Sequence, residues 1–346
     1  LNRPSSSPRQ TNGPNGPNGP DSNGPISWAL AVVEVDGSAP EYGRKNAVKL
    51  DSHRIASLIP ISVAEAQRLV ATSAAEEVLC YVHGYATPYA NAIRSAAIYA
   101  RAFRQTKLVV VFTWPSDPDL NTSSWLITKV MSEYELNYTR AEQQMHASII
   151  PLTYLAKWIR RNAGSQRRVM YHSHSMGNYL LLNAIDKLCW ECAGATHSSP
   201  EATAAKALSD VEYHFSRVML DAPDVPTWFF EDVITKSCDL GVRYLHIYNK
   251  FDQAVELSRK RRNYETCPGN SCILGPRMDG RFECVAADGA KHTSAHHDYG
   301  QVDGVVLIEK RDWLNGVLPQ SRLLKAVEED SKKEPPTPAH WQLLVD

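Results

Sequence analysis

Short apolar runs alternate with longer stretches of helical periodicity through most of the chain. Runs of strand length lie at Trp28–Val35, Val78–Val82, Leu108–Trp114, Arg168–His172, Arg217–Leu220, Tyr244–Tyr248 and Phe282–Ala286. Helical patterns occupy Ala90–Phe103, Tyr134–Arg161, Met176–Leu188 and Pro226–Ser237. This alternation predicts an α/β fold with a mostly parallel central sheet and helices on both faces. In such sheets, reactive side chains gather at the carboxyl ends of the strands.

The two ends of the chain differ from this pattern. Residues 1–26 repeat Asn-Gly-Pro and have almost no large apolar side chains, which predicts a disordered tail. Residues 27–320 are interpreted as one α/β domain, and 321–346 as a C-terminal tail that docks in part through Trp341 and Leu343-Leu344. Within the domain, the polar, Ala/Ser-rich stretch Cys189–Asp210 is interpreted as an insertion before the next strand.

Charge and hydropathy narrow the range of partners. The 37 basic residues nearly balance the 38 acidic ones, so the net charge does not favour binding to nucleic acid. The basic run Arg259–Arg262 is interpreted as a solvated helix end or loop. No apolar stretch reaches the length of a membrane span. No signal peptide is visible, but the chain begins with Leu1, so cytoplasmic and secreted locations both stay open. The oligomeric state is also open.

Seven cysteines with scattered spacing give no clear metal motif. Cys189 and Cys192 form a single C-x-x-C without a second pair, and no metal is predicted there. Cys267 and Cys272 are close enough in sequence to form a disulfide across a loop in an oxidising compartment.

The clearest chemical signal is the segment Ser173-His174-Ser175-Met176-Gly177 between a predicted strand and a predicted helix. Strand, tight turn and helix are the context of a nucleophile elbow, in which the turn exposes a serine hydroxyl. The positions two before and two after the nucleophile must be small, and Ser173 and Gly177 satisfy this. Ser175 is therefore the predicted nucleophile, and His174, which points away on so sharp a turn, is interpreted as a packing residue.

An oxyanion hole is predicted at the end of an earlier strand, Leu79–Tyr85. The His83-Gly84 dipeptide lets the backbone turn so that the next amide points into the site. The backbone amides of Tyr85 and Met176 are the predicted donors to a developing oxyanion. His83 is expected to brace the turn rather than to titrate.

An acid and a base are expected to follow the serine in the order Asp or Glu, then His. Asp252 comes just after the strand that ends at Asn249, and we favour it as the acid over Asp224 and Asp221 of the preceding strand end. The base is expected in the loop Gly289–Tyr299, with His297 preferred to His296 and to the more distant His292. These three histidines with Asp298 form an alternative metal cluster, which we consider less favoured because no second ligand group accompanies it.

A string of motifs resembles the DUF900 α/β hydrolases, a bacterial group described as serine esterases. It consists of Tyr81–Tyr85, Val111–Ser116, His172–Asn178, Asp221–Val225, Tyr248–Ser258 and His297–Tyr299. The resemblance covers residues 75–316 and implies an α/β-hydrolase fold with Ser175, Asp252 and His297 as the triad. It departs from the family at Ser173, where alanine or glycine is more usual, and at Thr113, where serine is common.

These residues predict a serine hydrolase that cleaves small carboxylic esters of short or medium acyl chain through an acyl-enzyme, with no cofactor. Trp114, Trp228, Phe229 and Phe230 are candidates to line the substrate pocket, although aromatic residues after strands more often lie in the core. A lipase, thioesterase or amidase with the same triad remains an alternative. So does a non-catalytic binding protein that retains the fold.

Overall fold

The computed structural model of the protein describes residues 26–36, 50–103, 107–116, 131–194, 215–262, 267–273, 280–288, 304–317, 324–327 and 340–343. Its strands are β1 (Trp28–Val35), β2 (His53–Ile61), β3 (Glu77–Val82), β4 (Lys107–Phe112), β5 (Arg168–His174), β6 (Arg217–Asp221), β7 (Arg243–Tyr248), β8 (Phe282–Ala286), β9 (Leu324–Val327) and β10 (His340–Leu343). Its helices are α1 (Val63–Thr72), α2 (Tyr89–Ala102), α3 (Met131–Ala163), α4 (Met176–Gly194), α5 (Thr227–Asp239), α6 (Gln253–Arg262) and α7 (Gly304–Leu314), with a 3-10 turn at Leu50–Ser52.

Eight strands form the central sheet, in the order β4-β3-β5-β6-β7-β8-β10-β9. Every neighbouring pair is parallel except β9 with β10. The predicted fold class is therefore confirmed. Because β3, β5, β6 and β7 are adjacent and parallel, the turns that follow them meet along one edge of the sheet.

The core lies on both faces of this sheet, because successive side chains of a strand point to opposite sides. In β3, Val78, Cys80 and Val82 belong to the cluster that packs under α1, α3, α4 and α5. The alternate residues Leu79 and Tyr81 belong to a second cluster, which contains buried residues of α2 and α7. A strand buried on both faces has a continuous apolar sequence, as the fully buried β3 does.

The first predicted strand does not join this sheet. β1 pairs antiparallel with β2 in a separate two-stranded sheet, with Trp28 opposite Ile61 and Val35 opposite His53. The prediction that Trp28–Val35 joins the central sheet was therefore wrong, and β2 was not predicted. Every residue of β1 except Glu34 is apolar, yet none of them is buried, and Leu30 and Val32 are exposed.

Two further predictions need correction. Helix α4 continues past Leu188 to Gly194, so the insertion does not begin at Cys189. The disulfide joins Cys272 to Cys284 of β8, with their Cα atoms 6.1 Å apart, rather than to Cys267. The thiol of Cys267 instead lies 3.4 Å from the carbonyl oxygen of Pro223. In the segment predicted as the C-terminal tail, the structure describes β9 and β10.

A buried ion pair connects the last described helix to the centre of the sheet. Lys310 of α7 and Asp221 at the end of β6 are both fully buried and in direct contact. The Nε2 atom of His172 lies 3.2 Å from Asp221 Oδ2 and 3.3 Å from Lys310 Nζ. The hydroxyl of Tyr99 lies 3.1 Å from the same ammonium group. Such a network tolerates burial because its charges compensate each other.

Lys310→Met should lower the free energy of unfolding by about 3–5 kcal/mol, because it leaves the Asp221 carboxylate buried and uncompensated. The control is Lys187→Met, which removes a half-exposed lysine 3.5 Å from Glu191 and should cost less than about 1 kcal/mol. Urea unfolding of both variants measures the difference. Adding Asp221→Asn to Lys310→Met should recover part of the loss, and equal costs for the two lysine variants would contradict the assignment.

Candidate active site

Ser175 occupies the sharp turn between β5 and α4, as the strand–turn–helix pattern predicts. Its φ is 53°, a left-handed conformation that a residue with a side chain rarely adopts. Two backbone hydrogen bonds hold this turn: Ser175 N donates to Asp221 O at 3.0 Å, and Asn178 N donates to Ser175 O at 2.9 Å. The neighbouring strand β6 therefore helps to fix the backbone of the serine.

Asn178 links both sides of this turn. Ser173, at the position where the family more often has alanine or glycine, donates to Asn178 Oδ1 at 2.6 Å. Asn178 Nδ2 donates in turn to the carbonyl oxygens of Ser175 at 3.0 Å and Asp221 at 2.8 Å. The hydroxyl of Ser173 thus orients the amide that cross-links the turn. The departure at Ser173 supplies a contact that a glycine could not make.

Two glycines allow the end of β3 to lie directly against the turn. A Cβ on Gly177 would lie 2.4 Å from the carbonyl oxygen of His83, and a Cβ on Gly84 would lie 2.9 Å from Ser175 Cβ. Neither position has room for a side chain. Since β3 and β5 are hydrogen-bonded neighbours with Val82 opposite Ser173, the His83-Gly84 turn lies next to the serine.

His83 braces this turn as a neutral side chain. Its Nε2 accepts the backbone N–H of Trp114 at 3.2 Å, so Nδ1 carries the proton and faces the Gly84 oxygen at 3.0 Å. The indole of Trp114 donates to the carbonyl oxygen of His83 at 2.8 Å. Burial lowers the pKa of His83 to about 4, which keeps the ring neutral near pH 7.

The two predicted oxyanion donors lie at the ends of adjacent strands. Tyr85 directly follows Gly84, and Met176 is the first residue of α4. The ring of Tyr85 packs 5.4 Å from that of Tyr138 of α3, centroid to centroid. Ala86, with a φ of 51°, donates its N–H to Ser116 O at 2.9 Å and closes the turn. The role of the Tyr85 and Met176 amides stays a prediction.

The three candidate carboxylates differ in their partners. Asp252 is buried directly before α6, and its Oδ1 accepts the backbone N–H groups of Ala254 at 3.1 Å and Val255 at 3.0 Å, which caps the helix. Asp252 is thus both a completely buried carboxylate and the cap of α6.

Asp224 belongs to a polar cluster that the sequence did not reveal. Both of its oxygens are engaged: Oδ2 accepts the hydroxyl of Tyr138, and Oδ1 accepts Ser258 Oγ at 2.6 Å and lies 3.3 Å from Arg262. Desolvation and the nearby Asp224 charge raise the pKa of Tyr138 well above its usual value, so the phenol stays protonated and donates. Arg262 also pairs with Glu142 at 2.6 Å, so the basic run 259–262 serves in part to hold α6 against α3.

Asp221 is likewise engaged, by Lys310 and His172. Among the described residues, Asp221 contacts Lys310 and Asp224 contacts Arg262. The predicted base His297, its competitors His296 and His292, and the alternative metal ligand Asp298 lie outside the described residues. Their assignment stays a prediction.

The aromatic residues predicted to line the pocket fall into two groups. Trp114, Phe229 and Phe230 are buried, and Trp114 is hydrogen-bonded to the His83 turn. Trp228, at the start of α5, is 67% exposed, and its ring packs 5.6 Å from that of Phe229. Phe251, which the sequence analysis did not single out, is 57% exposed next to Asp252. Exposed aromatic side chains beside strand ends are available for contact with an apolar ligand.

The parallel sheet with helices on both faces and the sharp turn at Ser175 define the class: this is an α/β-hydrolase fold. The family described as alpha/beta hydrolase of unknown function, DUF900, matches residues 62–263, more than half of the chain. The chain belongs to this family, as its motifs predicted. The match includes Ser175 and Asp252 and ends before His297.

Comparison with other proteins adds little detail. No curated protein matches the chain. A solved structure of esterase B from Lactobacillus rhamnosis with a tributyrin phosphonate inhibitor is similar, with a TM-score of 0.30. Its sequence is 12% identical, and the match covers 84% of this chain and 89% of that chain. Among the helices that the structure describes, none combines the length and the apolar character needed to cross a membrane.

Gly177→Ala should destabilise the protein by about 1–3 kcal/mol, because the new methyl group would overlap the His83 carbonyl. Helix propensity alone favours the opposite sign, since alanine stabilises a helical position by up to ~1 kcal/mol over glycine. Thermal and urea unfolding measure the change. A stabilised variant would show that β3 does not press against this helix end.

Proposed function

We propose that the protein is a serine hydrolase that cleaves carboxylic esters of short or medium acyl chain through an acyl-enzyme on Ser175. The observation that carries the proposal is the left-handed backbone of Ser175, φ 53°, at the junction of a parallel strand and a helix. Backbone strain at a residue with a side chain needs a compensating reason, and nucleophile elbows accept it to expose the hydroxyl. Membership of an α/β-hydrolase family supports the same reaction class.

In the proposed mechanism, Ser175 Oγ attacks the ester carbonyl while His297 takes the hydroxyl proton. The amides of Tyr85 and Met176 bind the developing oxyanion, and the positive end of the α4 dipole points toward the same place. His297 then gives the proton to the departing alcohol. Water, deprotonated by the same histidine, attacks the acyl-enzyme and releases the acid. Asp252 holds the imidazole and stabilises its protonated form.

The position of Asp252 supports it as the acid. It is buried directly before α6, and the two helix amides that donate to its Oδ1 favour its charged form. Its position after β7 brings it to the same edge of the sheet as Ser175.

Trp228 and Phe251 support an apolar acyl or alcohol group as substrate, because both expose aromatic surface in the segments that follow β6 and β7. A lipase, thioesterase or amidase would use the same residues, so the acyl chain and leaving group must be tested directly.

Ser175→Ala should lower kcat/KM for p-nitrophenyl esters by roughly 10⁴-fold or more and abolish labelling by a fluorophosphonate, because the attacking oxygen is gone. Esters from acetate to palmitate give the chain-length profile, and thioester and amide analogues are assayed beside them. Mass spectrometry of the labelled parent should place the phosphonyl group on the peptide that contains Ser175.

The control for that experiment is Ser148→Ala, which removes a buried serine hydroxyl that bonds within α3. It should keep both turnover and labelling. Activity that survives Ser175→Ala would reject Ser175 as nucleophile. A folded parent that neither turns over any substrate nor reacts with the fluorophosphonate would favour the binding role.

The acid and base are tested by two matched pairs of variants. Asp252→Asn should lower kcat by roughly 10²–10⁴-fold with little change in KM, whereas Asp224→Asn should act mainly on stability by removing the charge that faces Arg262 and Tyr138. His297→Gln should lower kcat by roughly 10⁴-fold, and His296→Gln should retain most of it. If the larger loss of kcat falls on Asp224 or on His296, the corresponding assignment moves to that residue.

A further inference from the structure

A buried cluster of sulfur and nitrogen atoms lies on strands β7 and β8, which lead to the two segments that carry Asp252 and His297. His246 and Cys284 are directly opposite each other in the parallel pairing of these strands. Cys272, in the turn 267–273, reaches the same place and is disulfide-bonded to Cys284. One ligand atom from each of the three residues lies within 4.8 Å of the others, and all three residues are buried.

The imidazole of His246 is oriented for coordination. Its Nε2 lies 2.8 Å from the carbonyl oxygen of Pro268, which can only accept, so Nε2 carries the proton. The lone pair of Nδ1 therefore faces Cys284 Sγ, 3.4 Å away. A backbone carbonyl that holds the opposite N–H is the usual outer-shell partner of a metal-binding histidine.

We propose that, when the disulfide is reduced, Cys272, Cys284 and His246 bind one Zn²⁺ ion. Two thiolates and one imidazole are a ligand set that zinc prefers, and three protein donors leave one tetrahedral position for water or another small ligand. The reductant is a dithiol, whose two thiols become a disulfide as they deliver two electrons and two protons to the two sulfur atoms. Zinc then displaces both protons as the thiolates coordinate it.

The proposal does not depend on the hydrolase activity, but it has a consequence for that site. The turn 267–273 supports the residues around Asp252: Asn249 N donates to Gly269 O at 3.1 Å, and Asn270 Nδ2 donates to Asp252 O at 3.1 Å. Either the disulfide or a zinc ion ties this turn to β8. A reducing compartment would therefore retain the tie through the metal.

Cobalt titration of the whole protein tests the site without any assay of activity. The parent is first reduced with a trialkylphosphine. The disulfide gains two electrons and two protons, and the phosphine becomes its oxide with an oxygen atom from water. The reduced protein is then desalted in the absence of oxygen. One equivalent of Co²⁺ should produce a thiolate-to-cobalt charge-transfer band and the visible bands of a tetrahedral site, and Zn²⁺ should displace it. The unreduced parent should give neither band, because both thiolates are committed to the disulfide.

Matched variants locate the ligands. Cys272→Ser and Cys284→Ser should each weaken or remove the charge-transfer band. His246→Gln should raise the Kd for Co²⁺. The increase should exceed the roughly 10–100-fold loss of metal affinity that follows when only an outer-shell partner is removed. Cys189→Ala, which changes a buried cysteine outside the cluster, should leave the band and its stoichiometry unchanged. Far-ultraviolet circular dichroism verifies that each variant is folded.

Three results would overturn the proposal: a reduced, folded parent without a thiolate band, a band that survives the replacement of both cluster cysteines, or a band lost in Cys189→Ala. Where reduction alone loosens the fold, one equivalent of Zn²⁺ should restore the near-ultraviolet circular dichroism, because metal binding and folding are coupled. Failure to restore it also counts against the site. These readouts can fail while Ser175 still hydrolyses esters, so the two proposals are tested separately.

Discussion

The close backbone contact between the end of β3 and the start of α4 is the constraint on which the geometry of the site depends. The carbonyl oxygen of His83 lies where a Cβ of Gly177 would stand, and Gly84 lies where any side chain would meet Ser175. The two missing side chains let two peptide groups approach as closely as packing allows. Backbone amides at such a junction can bind an oxyanion only when they lie within hydrogen-bond distance of the same point. The separation between the end of β3 and the start of α4 therefore determines whether this turn can form an oxyanion hole.

Strain at Ser175 is balanced by contacts from β6 as well as by hydrogen bonds within the turn itself. The carbonyl oxygen of Asp221 accepts both the Ser175 amide and the Asn178 side chain, while the Asp221 carboxylate is paired with Lys310. One residue therefore connects the turn to α7. Because α7 begins a few residues after His297, the ion pair also fixes the far end of the segment that contains the predicted base. Buried ion pairs add little net stability, so the Asp221–Lys310 pair is better explained by its role in positioning α7 against β6.

The sequence predicts those elements whose signal lies in a short local pattern, and it misses contacts between segments that are distant in the chain. The continuous apolar run of β3 and the strand–turn–helix at Ser175 are local signals, and both were confirmed in the structure. The same apolar periodicity could not show that Trp28–Val35 pairs with β2 instead of the central sheet. The predicted disulfide between Cys267 and Cys272 was also wrong. Cys284 becomes the neighbour of Cys272 only because β8 lies next to β7 in the sheet.

The choice between Asp224 and Asp252 shows which features of the site cannot be predicted from the sequence. In the sequence, Asp224 and Asp252 both follow apolar strands, and the sequence analysis favours Asp252, but their different surroundings come from other elements of the fold. Arg262 of α6 and Tyr138 of α3 converge on Asp224, and that convergence cannot be inferred from spacing. Asp252 caps α6 through one oxygen, but a carboxylate has two oxygens and about four lone-pair directions, so capping a helix and orienting an imidazole are compatible tasks. The cap in fact fixes the carboxylate plane, which an acid that positions a histidine requires. Helix capping at Asp252 is therefore compatible with its proposed role as the acid.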